Sequence, residues 1–300
     1  MKRRHFWILA VILGLLTGQL LARDVVVASY NVKNYLQMER RIGEKTVPDA
    51  TKPEEEIAAV IEVIKEIDPD ILGIMEMGDE TALEDCQRRL KASGLDYPNR
   101  EWVRGADADR HLALLSRFPI VGRNSRDDVT FEMNGSRVRV GRGILDVTVK
   151  LSEDYSLRLV GAHLKSRREI PEFDQEVMRA KEARCLREHL NAVLKANPVE
   201  NLLLFGDLND TKNEYPVKEL TGQLKDPFRM KDLSLADRSG YRWTHYWSAA
   251  DIYSRIDYML VSRSLWPDIN MRRSGISSSK IWQKASDHRA IFSTITVPKS

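Results

Sequence analysis

Residues 201–210 read NLLLFGDLND, a run of large apolar side chains that gives way at once to small and polar ones. An apolar run of this length, bounded by turn-forming residues, predicts a short strand that is buried on both faces. Asp207 and Asn209 follow directly, at the point where side chains leave the rigid edge of a sheet. The stretch therefore predicts a strand of an α/β protein with a polar site at its end.

The same change from an apolar strand to a polar cluster recurs along the chain. Taken singly, each cluster has an ordinary explanation, such as a turn residue, a capped loop or a partly buried histidine. Their repeated position at strand ends instead indicates one shared site, built from metal-binding and acid–base residue types. The polar residues at these other ends are Asn31, Glu76, His163, Asp257, Asp287 and His288.

Strand-like and helix-like segments alternate without a long linker or repeat. Thr51 is predicted to cap the first helix, with Glu54 three residues later. A short polar loop joins the segments 143–150 and 156–163, which predicts a hairpin and hence mixed sheets. One α/β domain over 23–300 is the economical interpretation, since the polar clusters run from 31 to 288. Strands are predicted over 25–31, 71–76, 112–116, 143–150, 156–163, 201–206, 256–261 and 290–297, and helices over 53–66, 81–93 and about 171–195.

The N-terminus has the layout of a secretory signal. Three basic residues, 2–4, precede an apolar run over 6–16 and a small residue, Ala22. We therefore expect residues 1–22 to direct export to the periplasm or the extracellular space. The alternative is an uncleaved anchor, because the apolar stretch is only slightly shorter than a bilayer-spanning helix, and only then would the protein attach to a membrane.

Charge and cysteine content narrow the function classes. The 47 basic residues, less the three of the signal, match the 44 acidic ones, so the remaining chain has no net basic character. A strongly basic surface for nonspecific nucleic-acid binding is therefore not indicated. The two cysteines, Cys86 and Cys185, are too few for a cysteine-based zinc site, and we expect them to be free thiols.

Several of these motifs together resemble the endonuclease/exonuclease/phosphatase superfamily, which includes DNase I-like nucleases, abasic endonucleases, sphingomyelinases and inositol polyphosphate phosphatases. The resemblance covers residues 25 to 297, and the chain is similar in type to exported bacterial members of this superfamily. It implies a four-layer α/β sandwich, in which two mixed β-sheets lie face to face with helices on the outside. The motifs are GDLN at 206–209, SDH at 286–288, YNV at 30–32, Glu76, AHL at 162–164, RIDY at 255–258 and the segment 112–120.

The resemblance also implies a metal site. Mg²⁺ prefers hard oxygen ligands and is often held by one or two carboxylates together with substrate phosphate. Glu76 would be its principal ligand, with Asp287 and the amide of Asn31 binding directly or through water. Mn²⁺ is an expected substitute.

Catalytic roles follow from the same resemblance. Asp207 would orient and deprotonate the attacking water, and Asn209 would hold that water or a phosphate oxygen. His288 would contact the phosphate, with Asp257 fixing its tautomer. His163 would stabilise the phosphate or protonate the leaving group. Sequence alone leaves open whether Asp207 or His288 is the base.

Two further cations are candidate phosphate contacts. Arg142 and Lys165 either bind substrate or are ordinary surface residues. The basic residues of the third helix, 179, 181 and 184, are interpreted as a solvated face.

The leading hypothesis is thus an exported, Mg²⁺-dependent phosphodiesterase of nuclease-like chemistry, acting on a phosphate ester such as nucleic acid, with no stable protein partner implied. A phosphomonoesterase or a phospholipid-headgroup phosphodiesterase on the same site is the nearest alternative. A non-catalytic binding module of the same fold is the remote one.

Overall fold

Buried strands form two six-stranded β-sheets in the computed structural model, which describes residues 23–168 and 174–298. The predicted signal at 1–22 lies outside the described residues. Within those residues, no helix combines the length and the apolar character that crossing a membrane requires. The strands in chain order are β1 (Arg23–Tyr35), β2 (Met38–Ile42), β3 (Lys45–Ala50), β4 (Ile71–Met77), β5 (Asn99–Val103), β6 (His111–Ser116), β7 (Ile120–Arg123), β8 (Thr130–Met133), β9 (Ser136–Arg139), β10 (Leu145–Lys150), β11 (Ser156–His163), β12 (Leu202–Asp207), β13 (Lys231–Asp232), β14 (His245–Trp247), β15 (Ile252–Ser254), β16 (Asp257–Val261), β17 (Gly275–Ile276) and β18 (Ile291–Val297). The helices are α1 (Glu54–Ile67), α2 (Glu80–Ala92), α3 (Gln175–Ala196), α4 (Tyr215–Thr221) and α5 (Trp282–Ala285), with 3-10 turns at Trp266–Asp268 and Met271–Arg273.

Both sheets are mixed, as the hairpin at 143–163 predicted. The first has the order β17-β18-β1-β4-β6-β5, in which β1 and β4 are parallel and the other pairs are antiparallel. The second has the order β13-β16-β12-β11-β10-β7, in which only β11 and β12 are parallel. The predicted strand 156–163 has the bounds of β11, and the other predicted strands are displaced by a few residues at their ends. The short hairpins β2–β3, β8–β9 and β14–β15 were not predicted.

Three apolar clusters separate four layers. One fills the space between the sheets, where the ring of Phe205 lies so close to Gly73 and Gly161 that an added Cβ would meet it at 2.0 and 2.8 Å. A second cluster joins α1 and α2 to the first sheet, and a third joins α3 and α4 to the second. The predicted four-layer α/β sandwich with helices outside is therefore confirmed.

The helix starts are stabilised in two different ways. The capping role predicted for Thr51 is wrong, because α1 begins at Glu54 after Pro53 and has no side-chain cap. Three glutamates in its first turn complement the positive end of the helix instead. By contrast, Asp79 and Asp174 accept backbone N–H bonds at the starts of α2 and α3.

The cysteines are free, as expected. Cys86 is buried in α2 against the first sheet, whereas Cys185 lies in α3 on the opposite side of the sandwich. Both sheets therefore lie between the two thiols.

Candidate active site

Strand register brings three of the predicted residues together. His163 is paired with Asp207 across the parallel strands β11 and β12, and Asp207 is paired with Asp257 across the antiparallel strands β12 and β16. Directly paired residues project to the same face of a sheet. The three side chains therefore stand side by side at one edge of the second sheet, facing the first.

Asp207 occupies the centre of this row and is 1% exposed. Its Oδ1 accepts the backbone N–H of Asn209 at 2.9 Å, and its Oδ2 accepts Nδ2 of Asn31, from the first sheet, at 3.1 Å. Burial and the nearby charge of Asp257 raise its pKa to about 7. Gly206 permits this placement, since its φ is +142° and a Cβ there would meet the carbonyl oxygen of Ala162 at 1.8 Å.

His288 enters the row from the loop that precedes β18. Its Nδ1 lies 2.8 Å from Oδ2 of Asp257, and its Nε2 lies 3.7 Å from Oδ2 of Asp207. Burial alone would lower the pKa of this imidazole, but Asp257 and Asp207 outweigh it and raise the pKa to about 10. His288 therefore lies between two carboxyl groups that favour its protonated form.

Two hydroxyl groups that sequence reasoning missed hold this pair in place. Oγ1 of Thr244 accepts the backbone N–H groups of Ile256 and Asp257, each at 3.1 Å. Oγ of Ser286 accepts the N–H of His288 at 3.0 Å and donates to the carbonyl of Asn31 at 2.8 Å. Ser286 stood within the quoted SDH motif, whereas no local signal distinguished Thr244.

His163 flanks Asp207 on the side of β11. It is 3% exposed, and its Nε2 lies 3.6 Å from Oδ2 of Asp207. Burial, and then the charges of Arg142 and His288, lower its pKa well below 6.5. Its Nδ1 has no hydrogen-bond partner among the described residues, so a neutral ring retains one nitrogen for a ligand.

Glu76 and Asn31 meet at the facing edge of the first sheet. The ladders of β1 and β4 become irregular there, and φ is positive at Lys33 (49°), Asn34 (56°) and Glu76 (61°). Such conformations cost about 1–3 kcal/mol each in non-glycine residues and tend to persist where function requires them. They turn the Glu76 carboxylate toward Nδ2 of Asn31, at 3.2 Å, and the N–H of Asn34, at 2.9 Å.

The donor set fits a hard divalent cation. Both Glu76 oxygens accept only uncharged donors, and no cationic side chain pairs with Glu76 within 23–168 and 174–298. Asp287 lies near Asn31, since Oγ of Ser286 donates to the Asn31 carbonyl and lies 3.4 Å from Oδ1 of Asp287. The nitrogen of Asn31, not its oxygen, faces the carboxylates, so direct coordination by that amide requires it to turn over.

Another group of potential donors is already engaged. One atom each of Asp207, Asp257 and His288 lie within 4.8 Å of one another. However, the Asp257 oxygen is already bonded to His288, whose protonated form the two carboxyl groups favour. These residues therefore form a hydrogen-bonded row, and Glu76 is the better candidate to hold a divalent cation.

Asn209 has a structural role in addition to the one expected of it. Its Nδ2 donates to the carbonyl of Leu164 at 2.9 Å, and its backbone N–H holds Asp207. One N–H of the side-chain amide is thus engaged, and the amide keeps a second N–H for a phosphate oxygen or a water molecule. Asn209 also ties the end of β12 to the segment that follows His163.

Arg142 and Lys165 lie on the His163 side of the row. Arg142 is 6% exposed, its Nη2 pairs with Asp107 at 3.1 Å, and its Nε has no partner among the described residues. Burial and the charge of Arg142 lower the pKa of the Lys165 ammonium. Arg142 is therefore not a surface residue, and its Nε–H is a hydrogen-bond donor without a partner among the described residues.

The solvated-face interpretation of α3 is wrong for Arg179. That side chain is 4% exposed, with Nε 2.9 Å from Asp210 and Nη1 3.2 Å from the carbonyl of Lys165. Helix period alone could not show that this face meets the loops after β11 and β12. Arg184 is exposed, as expected, and Lys181 is intermediate.

Asn34 and Arg110 were also missed. The N–H of Asn34 holds Glu76, and its Oδ1 accepts Nε of Arg110 at 2.8 Å. The charge of Arg110 also contributes to the lowered pKa of His163. Asn34 lies three residues beyond Asn31, but the sequence offers no comparable pointer to Arg110.

Comparisons with known proteins bear on the family and the fold. The model of the endonuclease/exonuclease/phosphatase family matches residues 28–288. Among curated proteins, none matches this sequence. Similar solved structures include the human Nocturnin catalytic domain with bound sulfate (17% identity, 90% of this chain and 93% of that one, TM-score 0.62) and an endonuclease/exonuclease/phosphatase family protein from Bacteroides thetaiotaomicron (16%, 93% and 99%, 0.62). Truncated TDP2 from Caenorhabditis elegans is similar over 91% of this chain and 98% of its own, with 17% identity and a TM-score of 0.59.

Proposed function

The chain belongs to the endonuclease/exonuclease/phosphatase family, whose members are hydrolytic phosphoesterases, and on that premise we propose that it hydrolyses phosphodiester bonds in a nuclease-like, Mg²⁺-dependent reaction. The observation that carries the proposal is the buried row of His163, Asp207 and the Asp257–His288 pair. An acidic group between two imidazoles, with a second carboxylate behind one of them, suits proton transfer beside a phosphate.

Asp207 is the proposed base. Its carboxylate is oriented by the N–H of Asn209 and the amide of Asn31, which leaves a lone pair free for a water molecule. Because Asp257 occupies Nδ1 of His288, that imidazole presents only Nε2 to the ligand, as a donor. His288 therefore holds a phosphate oxygen while Asp207 orients the attacking water and takes its proton.

The other side chains bind the phosphate or hold the metal ion. Neutral His163 donates one hydrogen bond to the phosphate or to the leaving oxygen, and Arg142 and Lys165 add positive charge on the same side. Glu76 and Asp287, with Asn31, would hold Mg²⁺, for which Mn²⁺ is a substitute. When bound, the cation supplies further charge to offset that of the phosphate.

An aromatic surface beside His288 favours a substrate with a planar group next to the phosphodiester. The rings of His245 and His288 lie 4.7 Å apart, and the N–H of Tyr246 bonds the Asp287 carbonyl at 2.9 Å. The same hairpin exposes 55% of Trp247 and 51% of Tyr253. Bases stack on such rings without regard to sequence, which supports a nucleotide-containing substrate.

A substrate panel tests the proposal. We expect the protein to release p-nitrophenol from bis-(p-nitrophenyl) phosphate and to nick plasmid DNA with Mg²⁺, and EDTA should abolish both activities. Asp207→Asn should remove the activity, whereas Asp154→Asn, in the exposed loop between β10 and β11, should not.

The alternatives give different results in the same panel. Faster turnover of p-nitrophenyl phosphate than of the diester would identify a phosphomonoesterase, and turnover of sphingomyelin alone would identify a headgroup phosphodiesterase. If no phosphate ester is hydrolysed with either Mg²⁺ or Mn²⁺, the proposed function is wrong and a binding module remains.

A further inference from the structure

The two cations on the His163 side are carried by loops, not by strands. Arg142 follows β9 and precedes β10, and Lys165 comes two residues after the end of β11. Both loops contact one residue of α3. Oε1 of Glu182 accepts the backbone N–H of Gly141 at 2.8 Å, and its Oε2 accepts that of Lys165 at 2.6 Å. A single carboxylate thus joins the two segments that bear the cations.

The cost of burying this carboxylate suggests a purpose. Glu182 is 1% exposed, and burial raises its pKa. Transferring a carboxylate from water into a protein interior is costly, and two neutral N–H donors offset that cost only in part. An apolar side chain would pack α3 without that cost, so helix packing alone does not account for a glutamate here.

The Arg142 loop is also held from its other side. The N–H of Asp107 bonds the Gly141 carbonyl at 2.7 Å, and the Asp107 carboxylate pairs with Nη2 of Arg142. At Gly105, a Cβ would meet the Gly141 carbonyl oxygen at 2.1 Å, so the two segments are in direct backbone contact. The backbone of Gly141, directly before Arg142, is thus held at both its N–H and its carbonyl, and Nε of Arg142 has no partner among the described residues.

Lys165 has the same combination of a fixed main chain and a free side chain. Its N–H is bonded to Glu182, and its carbonyl accepts Nη1 of Arg179. Within 23–168 and 174–298, no carboxylate forms an ion pair with its ammonium group. The structure therefore fixes the main chain beside both cations, while Nε of Arg142 and the ammonium group of Lys165 have no protein partner among the described residues.

We propose that Glu182 is a positioning residue, which sets the spacing between the Arg142 guanidinium and the Lys165 ammonium so that both bind one anionic group of the substrate. The inference rests on the proposed function, in which that group is a phosphate. Glu182 itself does not touch the substrate. It acts through the two backbone N–H groups that it holds.

A substitution measured in two backgrounds tests this role. Glu182→Gln keeps the shape of the side chain but places an NH₂ group against one of the two N–H donors. In the wild-type background, we expect it to lower kcat/KM for bis-(p-nitrophenyl) phosphate by roughly 10- to 10²-fold, mainly through KM, and to weaken inhibition by inorganic phosphate in parallel. In the Arg142→Ala/Lys165→Ala background, the same substitution should change either quantity by less than about 3-fold.

The free energy of unfolding distinguishes a residue that positions the two cations from one that only stabilises the fold. Glu182→Gln should lower the free energy of unfolding equally in both backgrounds, while its kinetic effect appears in only one. Glu188→Gln, an exposed glutamate on the same helix, is the matched control and should change neither. Should Glu182→Gln fail to fold, Glu182→Asp replaces it, because it keeps both acceptors but withdraws them toward α3.

Two results would overturn the inference. One is unchanged kinetics and phosphate inhibition in folded Glu182→Gln, and the other is an equal kinetic loss in both backgrounds. Failure of the proposed function itself looks different, because the wild-type protein would then hydrolyse no phosphate ester. In that event, calorimetric binding of inorganic phosphate to the same variants still tests Glu182.

Discussion

Replacing Asp257 by Asn removes the carboxylate that holds His288 while leaving the shape of the site intact. Both residues are at least 95% buried, and Nδ1 of His288 lies 2.8 Å from Oδ2 of Asp257. An amide at that position no longer favours the imidazolium over the neutral ring. His288 would then face the phosphate as a neutral group or in the wrong tautomer.

The size of the effect follows from this contact. A hydrogen bond to a charged group is worth about 1.5–3 kcal/mol, and each 1.36 kcal/mol changes a rate roughly tenfold. Loss of the charged contact to the transition state therefore predicts a decrease of up to roughly 10²-fold in kcat. A wrong tautomer adds to this, and in His–Asp pairs the total can reach about 10⁴-fold. We expect Asp257→Asn and His288→Ala each to lower kcat by at least roughly 10²-fold.

The double variant provides the decisive comparison. Because Asp257 acts mainly through His288, to which it is directly bonded, the combined change should be scarcely worse than His288→Ala alone. The assay is steady-state hydrolysis of bis-(p-nitrophenyl) phosphate at saturating Mg²⁺, with circular dichroism to establish that each variant is folded. Fully multiplicative losses, or near-normal kcat in folded Asp257→Asn, would refute the pairing.

Four further predictions concern metal, backbone, pH and export. Glu76→Gln should weaken Mg²⁺ affinity without unfolding the protein, because it removes a charged oxygen ligand; an unmoved metal titration with wild-type activity would contradict the ligand assignment. Gly206→Ala should lower the free energy of unfolding by about 3 kcal/mol or more, since its Cβ would meet the Ala162 carbonyl oxygen at 1.8 Å and force β11 from β12; an unchanged urea midpoint would refute this. Burial opposes the shift, but bonding to His189 and Arg158 lowers the pKa of Asp146 from its ordinary 3.8, so its stabilisation is present above that value and is lost as pH falls through the lower folded pKa. The difference in the free energy of unfolding between wild type and Asp146→Asn should be about 3 kcal/mol near neutral pH. In urea titrations this difference should shrink in acid, and a difference that stays constant would contradict the assignment. Finally, we propose that the exported protein begins near Arg23, so intact mass showing 2–22 retained in a soluble cytoplasmic fraction would exclude cleavage.

Much of the architecture was readable from the chain because its signals are local. A short apolar run such as 202–205 favours a strand that is buried on both faces, and the Gly206–Asp207 step marks where that strand ends. The hairpin between β10 and β11 was likewise encoded in a short polar loop. For the same reason, the strand-end residues could be recognised as one set, and the family motifs sharpened that set.

The tertiary structure alone decided how those residues are used. Register places Asp207 between His163 and Asp257, which no spacing along the chain could show. One N–H of the Asn209 side chain is bonded to the Leu164 carbonyl, and the backbone N–H of Asp257 is bonded to Oγ1 of Thr244. Both contacts join residues that are not adjacent in sequence.

Helix α3 illustrates the limit most clearly. Sequence period identifies which of its residues share a face, but not what that face meets. Arg179 was interpreted as part of a solvated face, and Glu182 was not singled out, but the fold brings the loops after β9, β11 and β12 against them. A buried charge is stable only with partners, and those partners come from remote parts of the chain. The sequence by itself therefore determined the layers and the set of reactive side chains, whereas only the fold determined which backbone groups hold them in place.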